Sequence, residues 1–556
     1  MKFLSNHFVQ NIIFIIFIGT SSNFLNAQER LQGEVNSYLK NLPFHSFSIE
    51  VPHFADKTFN IKDYGAIGDG HTLNTEAFNK TIEACSKAGG GIVIVPQGLW
   101  LTGPIELKSD INFHTEIGAL ILFTSDHTQY PIIKSSKRGF IVASPIYGIK
   151  LKNIAITGEG IFDGSGETWR PLKRAKATES LWKSFINSGG VVSDDGQMWW
   201  PSKEAMDGED YLKNLISTKN KKELTAEDFL KARDFKRPIL ILLMDCKNVL
   251  IDGPTFEDSP AFALYPNWCE NLIVRNVKIH NEYWAQNGDG IDISSCKNVL
   301  VFKCRINAGD DGICMKSSKD RNSNEPSLQN VVIADNVVYH AHGGFVTGSN
   351  TDGGMHNIYV NNCDFIGSDV GLRFKSARDR GGLVDNIFIK NIYMKNILNE
   401  AILFDTHYEN RGFGSESKVP DVNERTPRFE NIFLENIYCS GAKQAVLVDG
   451  LPEMPIQKIK ISNSYISADK GFVSMYAKDF DLENVKIVPQ NKDVYSLNQS
   501  SDFNIVNGFC PEGTTVFLKL DGNKTMNINL VNTNLTCAKI PIKFGKNVNK
   551  NAVIQK

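Results

Sequence analysis

The sequence has 556 residues, 42% of them hydrophobic, which is enough for several domains or for one elongated domain with a long core. Its 60 Lys and Arg residues nearly balance its 62 Asp and Glu residues, so the net charge is −2. This balance excludes the basic excess typical of nucleic-acid-binding proteins, and we expect no nucleic-acid partner.

The first 27 residues have the pattern of a secretory signal peptide. Lys2 precedes a short apolar run at 12–18, and a small residue, Ala27, stands at the predicted cleavage site. The run is too short for a stable membrane span; the alternative interpretation is an apolar core strand. We therefore expect an exported protein, periplasmic or secreted, in which residues 28–57 form an N-terminal lead-in.

A strand, a glycine-rich loop and an amphipathic helix follow the lead-in. The apolar spacing predicts the helix over Thr75–Lys87, and three consecutive glycines end it before the next strand. Stacked strands leave edges and apolar core open at the end of the stack. We expect this helix to cover that end.

The region 166–238 lacks the strand pattern that surrounds it. Helical patterns at 167–185 and 224–238 enclose an aromatic stretch at 198–206 that we interpret as a loop. We predict a partly helical insertion, placed either on a functional face or as a stabilising flap.

One short template recurs through the chain on both sides of this insertion. An asparagine precedes an alternating apolar strand, and its copies at Asn248, Asn271, Asn298, Asn330, Asn357 and Asn386 are 23 to 32 residues apart. Alternation of period two predicts strands with one buried face. An asparagine in this position tolerates a left-handed backbone, and stacked copies can hydrogen-bond along the stack.

Units this short cannot bury their apolar faces alone, so they must stack. We predict an all-β fold, a right-handed parallel β-helix over 58–556, with the N-terminal helix as a cap and 166–238 as an insertion. A propeller would need longer repeats with hairpins, and a leucine-rich solenoid would need a leucine spacing that is absent.

The 10 cysteines do not form a metal-binding pattern. Most lie in or beside predicted strands, which favours small buried packing residues over disulfides. No CxxC pair occurs, so we expect no zinc site and no metal or cofactor.

Charged residues recur at equivalent places in four successive repeats. Asp310 and His342 each follow their asparagine by twelve residues, and Asp289, in "NGDGIDI", is predicted to hold the position of Asp310 one repeat earlier. Asp311 lies in the same turn as Asp310, and the repeat after that of His342 contributes Arg373 and Lys375. A single turn aspartate is usually structural, but like charges stacked about 5 Å apart repel, so the combination indicates a functional site.

Such carboxylates suit the hydrolysis of a glycosidic bond. One protonated carboxyl can donate to the leaving oxygen while another activates water. Arg373 and Lys375 would bind an anionic sugar, because guanidinium and ammonium groups pair with carboxylates.

Four motifs resemble those of glycoside hydrolase family 28, the polygalacturonases. They are Asn287-Gly288-Asp289, Gly309-Asp310-Asp311, His342-Gly343 and Arg373-Phe374-Lys375, in this order, and the resemblance spans roughly residues 58–490. Two positions depart from the family pattern: Ala341 replaces a glycine, and Gly288 replaces the commoner threonine.

The resemblance implies an inverting hydrolase in which Asp310 is the general acid and Asp289 and Asp311 activate the water. It also implies that His342 tunes the acid, that Arg373 and Lys375 bind the substrate carboxylate, and that Asn287 positions the sugar. Tyr408 either matches the family's substrate-stacking tyrosine or is an ordinary core or surface residue. The direction of Lys316 stays open.

We therefore expect a pectin hydrolase that cleaves α-1,4-linked galacturonate. The insertion is long enough to block one end of a groove, which favours exo action. Two alternatives remain: a calcium-dependent pectate-lyase-type β-helix, and a non-catalytic carbohydrate-binding β-helix.

Overall fold

A computed structural model describes residues 28–320, 322–408 and 419–556, so the predicted signal peptide lies outside the described residues. The chain winds as a parallel β-helix in which each turn, or rung, contributes strands to three stacks, here called faces 1, 2 and 3. Strands of successive rungs pair in parallel throughout the three faces. The predicted β-helix is confirmed.

Faces 1 and 2 are separate in the first rungs and continuous in the later ones. The early strands of face 1 are Thr58–Asn60, Gly91–Val95, Ile111–Thr115, Lys152–Gly158, Lys247–Asp252, Glu270–Arg275, Lys297–Phe302 and Leu328–Ala334. The early strands of face 2 are Gly98–Thr102, Ala119–Phe123, Ile161–Asp163, Thr255–Glu257, Lys278–His280, Arg305–Asn307 and Val337–Tyr339. Both faces are then crossed by Met355–Ile366, Leu383–Lys395, Ile432–Ser440, Ile456–Ala468 and Ala477–Pro489, and face 1 also holds Arg428–Phe429, Ser501–Val506, Met526–Val531 and Val553–Gln555.

Face 3 carries the predicted functional residues. Its strands are Ile105–Glu106, Ile146–Ile149, Ile241–Met244, Leu264–Asn267, Ile291–Ser294, Asp311–Lys316, Gly343–Thr347, Leu372–Lys375, Glu400–Asp405, Gln444–Asp449, Lys470–Met475, Asp493–Asn498, Val516–Asp521 and Ile540–Phe544. A separate antiparallel hairpin pairs Ile132–Ser135 with Gly139–Val142.

The repeated asparagines form a hydrogen-bonded ladder at the start of face 1. Each has a left-handed backbone, with φ between +55° and +59°. From Asn271 to Asn357, each side-chain amide donates to Oδ1 of the asparagine one rung earlier at 3.0–3.1 Å. The ladder predicted from the repeat is confirmed, and it fixes the register of face 1 from rung to rung.

Two helices from the N-terminal part of the chain pack on the β-helix. Helix α1 (28–38) lies against the outside of face 1, where Val35 is buried beside Leu250, Ile273 and Leu300. Helix α2 (Thr75–Lys87) has the predicted bounds, and its apolar side buries Phe78, Ile82 and Cys85 in the main core. The cap is confirmed, whereas α1 was not predicted.

The insertion contains three helices and a small antiparallel sheet. The helices are α3 (Glu179–Asn187), α4 (Lys203–Thr218) and α5 (Arg233–Lys236), and the sheet strands are Leu172–Lys173, Val191–Val192 and Met198–Trp200. The remaining 3-10 turns of the described chain are Ile61–Tyr64, His127–Gln129, Gly166–Thr168, Arg174–Lys176, Lys221–Glu223, Glu227–Ala232 and Lys550–Ala552.

The insertion is partly helical as predicted, but its elements differ from the sequence interpretation. The predicted loop at 198–206 is a strand followed by the start of α4, because the Ser202 hydroxyl accepts a hydrogen bond from the Ala205 amide and begins the helix. The helix predicted over 167–185 is limited to α3, which begins after Thr178 because the Thr178 hydroxyl accepts a hydrogen bond from the Leu181 amide.

Eight cysteines are free and buried, in agreement with the packing role predicted for most of them. Cys510 and Cys537 form a disulfide in the last rungs. None of the helices in the described ranges combines the length and apolar character needed to cross a membrane.

Candidate active site

Four neighbouring strands of face 3 bring the predicted residues together. The predicted pairing of Asp289 with Asp310 is wrong by one residue: Ile291 pairs with Ile313, and the amide of Gly290 donates to the carbonyl of Asp311. Asp289 is therefore in register with Asp311. Asp310 is left one place earlier, beside His342 of the next rung.

The three aspartates converge on one point. One carboxylate oxygen of each lies within 4.8 Å of the others. Asp289 and Asp311 are buried, and the side chain of Asp310 is 19% exposed. Like charges this close repel, so protons or neighbouring cations must offset them.

Asp310 makes two hydrogen bonds through the same oxygen. Its Oδ1 lies 3.0 Å from the Asp311 amide nitrogen and 3.0 Å from Nδ1 of His342. Among the described residues, Oδ2 has no hydrogen-bond partner. Burial acts to raise the pKa of Asp310, whereas the hydrogen bond from His342, the positive charge of that ring when it is protonated, and the charges of Lys375 and Lys316 act to hold the pKa below its ordinary value.

Asp289 belongs to a buried group that the sequence only partly revealed. Nζ of Lys316 lies 3.2 Å from Oδ2 of Asp289 and also contacts Asp292. Asp292 is fully buried and lies in Ile291–Ser294, the strand that directly follows Asp289. Burial raises the pKa of both aspartates. Nearby carboxylates raise each pKa further, whereas the positive charge of Lys316 acts to lower it. Asp292 was missed, although a charge between two isoleucines in "GIDIS" is a recognisable signal.

Asp311 is held by two cations that lie two rungs later along face 3. Lys375 lies 2.7 Å from its Oδ2, and Nη1 of Arg373 lies 3.5 Å from its Oδ1. The ring of Tyr408 lies beside both cations, 5.6 Å from the Arg373 guanidinium and 5.0 Å from the Lys375 ammonium. The structure thus places Tyr408 at the site, in cation–π contact.

Asn287 is fixed by a residue at the end of the insertion. Its Oδ1 accepts a hydrogen bond from Arg237 at 2.8 Å, and Arg237 also donates to the carbonyl of Gln286. Burial lowers the pKa of Arg237 to about 10. Arg237 was not predicted as a site residue.

A lysine of the insertion also reaches the aspartates. Nζ of Lys176 lies 2.8 Å from Nε2 of His342 and 3.2 Å from the carbonyl oxygen of Gly309. In the sequence it is one of several basic residues in "RPLKRAK", and only the fold singles it out.

The groove beside the aspartates runs toward later rungs. A cavity of about 560 Å³ is lined by His342, Arg373, Asn399, Lys443 and Asp449, among others. On the earlier rungs the insertion packs against the loop of Asn287, where Trp284 is buried with Trp182 and Trp199. The insertion therefore packs on the earlier-rung side of the aspartates, and the cavity extends along the later rungs.

Among the residues that the structure describes, two clusters present ligand atoms spaced for a cation. One is the Asp289, Asp310 and Asp311 group, and the other consists of Asp405, His407 and Asp449. The first cluster offers only carboxylate oxygens, which calcium prefers, whereas the second includes an imidazole nitrogen.

A parallel β-helix whose groove combines clustered carboxylates with a guanidinium and an ammonium has the side chains expected of a glycoside hydrolase. Residues 175–488 match the sequence model of "Glycosyl hydrolases family 28", and residues 58–160 match "Rhamnogalacturonase A/epimerase, pectate lyase-like". The first match covers more than half of the chain, which therefore belongs to glycosyl hydrolase family 28 and is a glycoside hydrolase.

Individual relatives agree with this family. The chain is 31% identical to an exo-poly-alpha-D-galacturonosidase of Dickeya chrysanthemi, over 71% of this chain and 64% of that protein. It is 26% identical to a probable polygalacturonase of Vitis vinifera, over 73% of each chain. The solved exopolygalacturonase of Thermotoga maritima is 28% identical, with a TM-score of 0.64 over 83% of this chain and 96% of that one.

Proposed function

We propose that this enzyme hydrolyses α-1,4-galacturonosidic linkages of polygalacturonate, pectin or related pectic oligosaccharides. The observation that carries the proposal is the convergence of three aspartates with Arg373 and Lys375 beside them. The carboxylates supply acid and base, and the cations match the carboxylate that every galacturonate unit carries.

Asp310 is the proposed general acid on geometric grounds. Its Oδ1 accepts both hydrogen bonds, so Oδ2 is the oxygen that can give a proton to the leaving group. Asp289 and Asp311, which are more deeply buried, would hold and activate the water between them. An inverting outcome follows from this division of roles and is supported by family membership.

Exo action is supported by the groove. The insertion covers the earlier rungs through Trp182 and Trp284, whereas the cavity beside His342 extends toward later rungs. A groove closed on one side accepts the end of a polymer. The relatives from Dickeya chrysanthemi and Thermotoga maritima are both named as exo-acting enzymes.

Export completes the proposal, because pectin lies outside the cell that degrades it. The sequence pattern of 1–27 supports cleavage after Ala27. Mass spectrometry of the protein isolated from its native host tests this. A mature N-terminus at Gln28 is expected, and a protein that retains residues 1–27 would contradict export by this route.

The decisive experiment measures reducing ends released from polygalacturonate by the purified protein, with and without a calcium chelator. We expect calcium-independent release, with no product that absorbs in the ultraviolet. An unsaturated, calcium-dependent product would identify a lyase, and no release from any pectic polymer or oligomer would refute the proposal.

Two further measurements address the finer points. Proton NMR of the first product formed should show the inverted anomer, and retention would refute the inverting mechanism. Chromatography of early products from a long polymer should show the smallest product from the start, whereas a spread of oligomers would indicate endo action. Asp310→Asn should lower kcat by about 10²–10⁴-fold. The variant should remain folded, as its thermal unfolding curve would show.

A further inference from the structure

Lys176 joins the insertion to the aspartate cluster through three contacts. Its Nζ lies 2.8 Å from Nε2 of His342, 3.2 Å from the carbonyl oxygen of Gly309 and 3.5 Å from that of Tyr283. An ammonium group has three protons and no acceptor. With three protein acceptors around it, this ammonium is engaged within the protein and is not presented as a free cation to an anionic sugar.

The contact with His342 decides which ring nitrogen carries a proton. Because an ammonium can only donate, Nε2 of His342 must accept. The ordinary pKa of lysine is about 10.4 and that of histidine about 6.5, so the shared proton belongs to Lys176. Burial lowers the pKa of Lys176, while the charges of Asp310 and Asp369 oppose that shift. The single proton of a neutral His342 is then on Nδ1, which faces Oδ1 of Asp310 at 3.0 Å.

Two other charged residues face this histidine. Oδ2 of Asp369 lies 3.8 Å from Nε2, and Nη1 of Arg373 lies 3.5 Å from the backbone carbonyl oxygen of His342. Without Lys176, Nε2 would be free to take a proton and pair with Asp369. His342 would then be a cation between two carboxylates, since Asp310 lies at its other nitrogen.

We propose that Lys176 is a positioning residue that keeps His342 neutral, with its proton on Nδ1, so that Asp310 can hold the proton it gives to the leaving oxygen. This inference rests on the proposed hydrolase function. A positively charged partner favours the ionised form of a carboxyl group, which is the wrong form for a general acid. A neutral His342 still orients Asp310 by its hydrogen bond but does not add that charge.

The tautomer can be measured without any substrate. The chain has 11 histidines, and the signals of His342 are assigned in ¹⁵N-histidine-labelled protein by comparison with His342→Asn. In the wild type at neutral pH we expect Nδ1 protonated and Nε2 unprotonated. In Lys176→Met, His342 should take up its second proton at a higher pH than in the wild type.

Kinetics on a galacturonate oligomer give the second readout. For Lys176→Met we expect kcat to fall about 10-fold or more, with its alkaline limb moved to lower pH, and KM to change less than kcat. Lys176→Arg keeps a charged donor and should restore most of kcat. The matched control is Lys183→Met, which removes an exposed lysine of α3 whose only ion pair among the described residues is with Glu179, and which should behave as the wild type.

Three results would overturn the proposal. They are a wild-type His342 protonated at Nε2, a folded Lys176→Met variant with an unchanged His342 titration, and a Lys176→Met variant that changes KM alone. The last result would make Lys176 a substrate-binding residue. A wild type inactive on every pectic substrate would instead refute the hydrolase function, and the NMR result would still report the tautomer.

Discussion

The ammonium of Lys375 lies 2.7 Å from Oδ2 of Asp311, and the two side chains are only 6% and 3% exposed. Burial acts to lower the pKa of Lys375, but the negative charge of Asp311 outweighs it and raises that pKa above the ordinary value. Each charge is therefore stable in this site because the other is present. The pair connects the rung that carries the aspartates to the rung that carries the proposed sugar-binding cations.

Removing one partner of this pair should be costly. In Lys375→Met, Asp311 keeps only the longer contact with Arg373 at 3.5 Å. Loss of one partner from a buried ion pair costs roughly 3–5 kcal/mol. We expect the free energy of unfolding in urea to fall by about that amount, and turnover to be lost. The double variant Asp311→Asn/Lys375→Met should regain most of the stability but no activity, and a single variant as stable as the wild type would contradict this account.

Asp289 should make the protein less stable as pH rises. Its pKa is raised in the folded protein, so the folded state binds its proton more tightly than the unfolded state does. The associated stability is present at low pH and is lost as pH rises through the folded-state pKa. Asp289→Asn removes this titration, so its melting temperature should exceed that of the wild type more at pH 8 than at pH 4, while activity is abolished.

The surroundings of the Asp289 side chain explain why its ionisation should destabilise the folded protein. Oδ1 of Asp289 is buried without a hydrogen-bond partner among the described residues. Asp56→Asn, at an exposed position, is the control and should show no pH-dependent difference from the wild type. An Asp289→Asn melting curve that follows the wild type at every pH would rule out a proton-linked penalty at this site.

Variants of the asparagine ladder can separate the contribution of the left-handed backbone to the free energy of unfolding from that of the side-chain hydrogen bonds. Asn298 has φ +56°, donates to Asn271 and accepts from Asn330. Asn298→Gly keeps the left-handed backbone and loses the hydrogen bonds, which we expect to cost about 1–3 kcal/mol in unfolding free energy. Asn298→Ala should cost a further 1–2 kcal/mol or so, because alanine disfavours this backbone. Equal stabilities of the two variants, measured in urea, would show that backbone strain contributes nothing.

The same ladder shows why the fold could be predicted from sequence. Its asparagines recur at the period of one rung, and the alternating strands behind them can be buried only by stacking. Sequence spacing alone predicts less reliably which residues of two neighbouring turns lie beside each other. "NGDG" and "GDDG" look equivalent, yet the second aspartate of "GDDG" pairs with Asp289, because register is set by the ladder and strands rather than by the glycines.

Two of the residues missed at the site share one property. Lys176 and Arg237 belong to the insertion, which has no repeat to fix its position, so only the folded chain shows that they meet His342 and Asn287. Helix α1 was missed for a similar reason: its apolar residues pack on the outside of face 1, a surface that strand alternation marks as exposed. Repeats predict what lies within rungs, whereas contacts between non-repeating segments and rungs depend on the whole fold.

The covering of the groove depends on aromatic packing between the insertion and the site. Trp182 of α3 is buried with Trp199 and Trp284, and Trp284 lies three residues before Asn287. Trp182→Ala should weaken this packing by about 3–5 kcal/mol. We expect early products from polygalacturonate to change from the smallest product alone to a mixture of oligomers, because the closed side of the groove opens, and limited proteolysis should cleave the insertion faster.

Phe229 provides the matched control for this experiment. It is also a buried aromatic residue of the insertion, but it packs in a separate cluster with Tyr130, Ile132 and Trp169. Phe229→Ala should lower the melting temperature while leaving the product pattern nearly unchanged. If Trp182→Ala still releases only the smallest product although proteolysis shows a loosened insertion, then the insertion does not close the groove, and exo action must come from the rungs themselves.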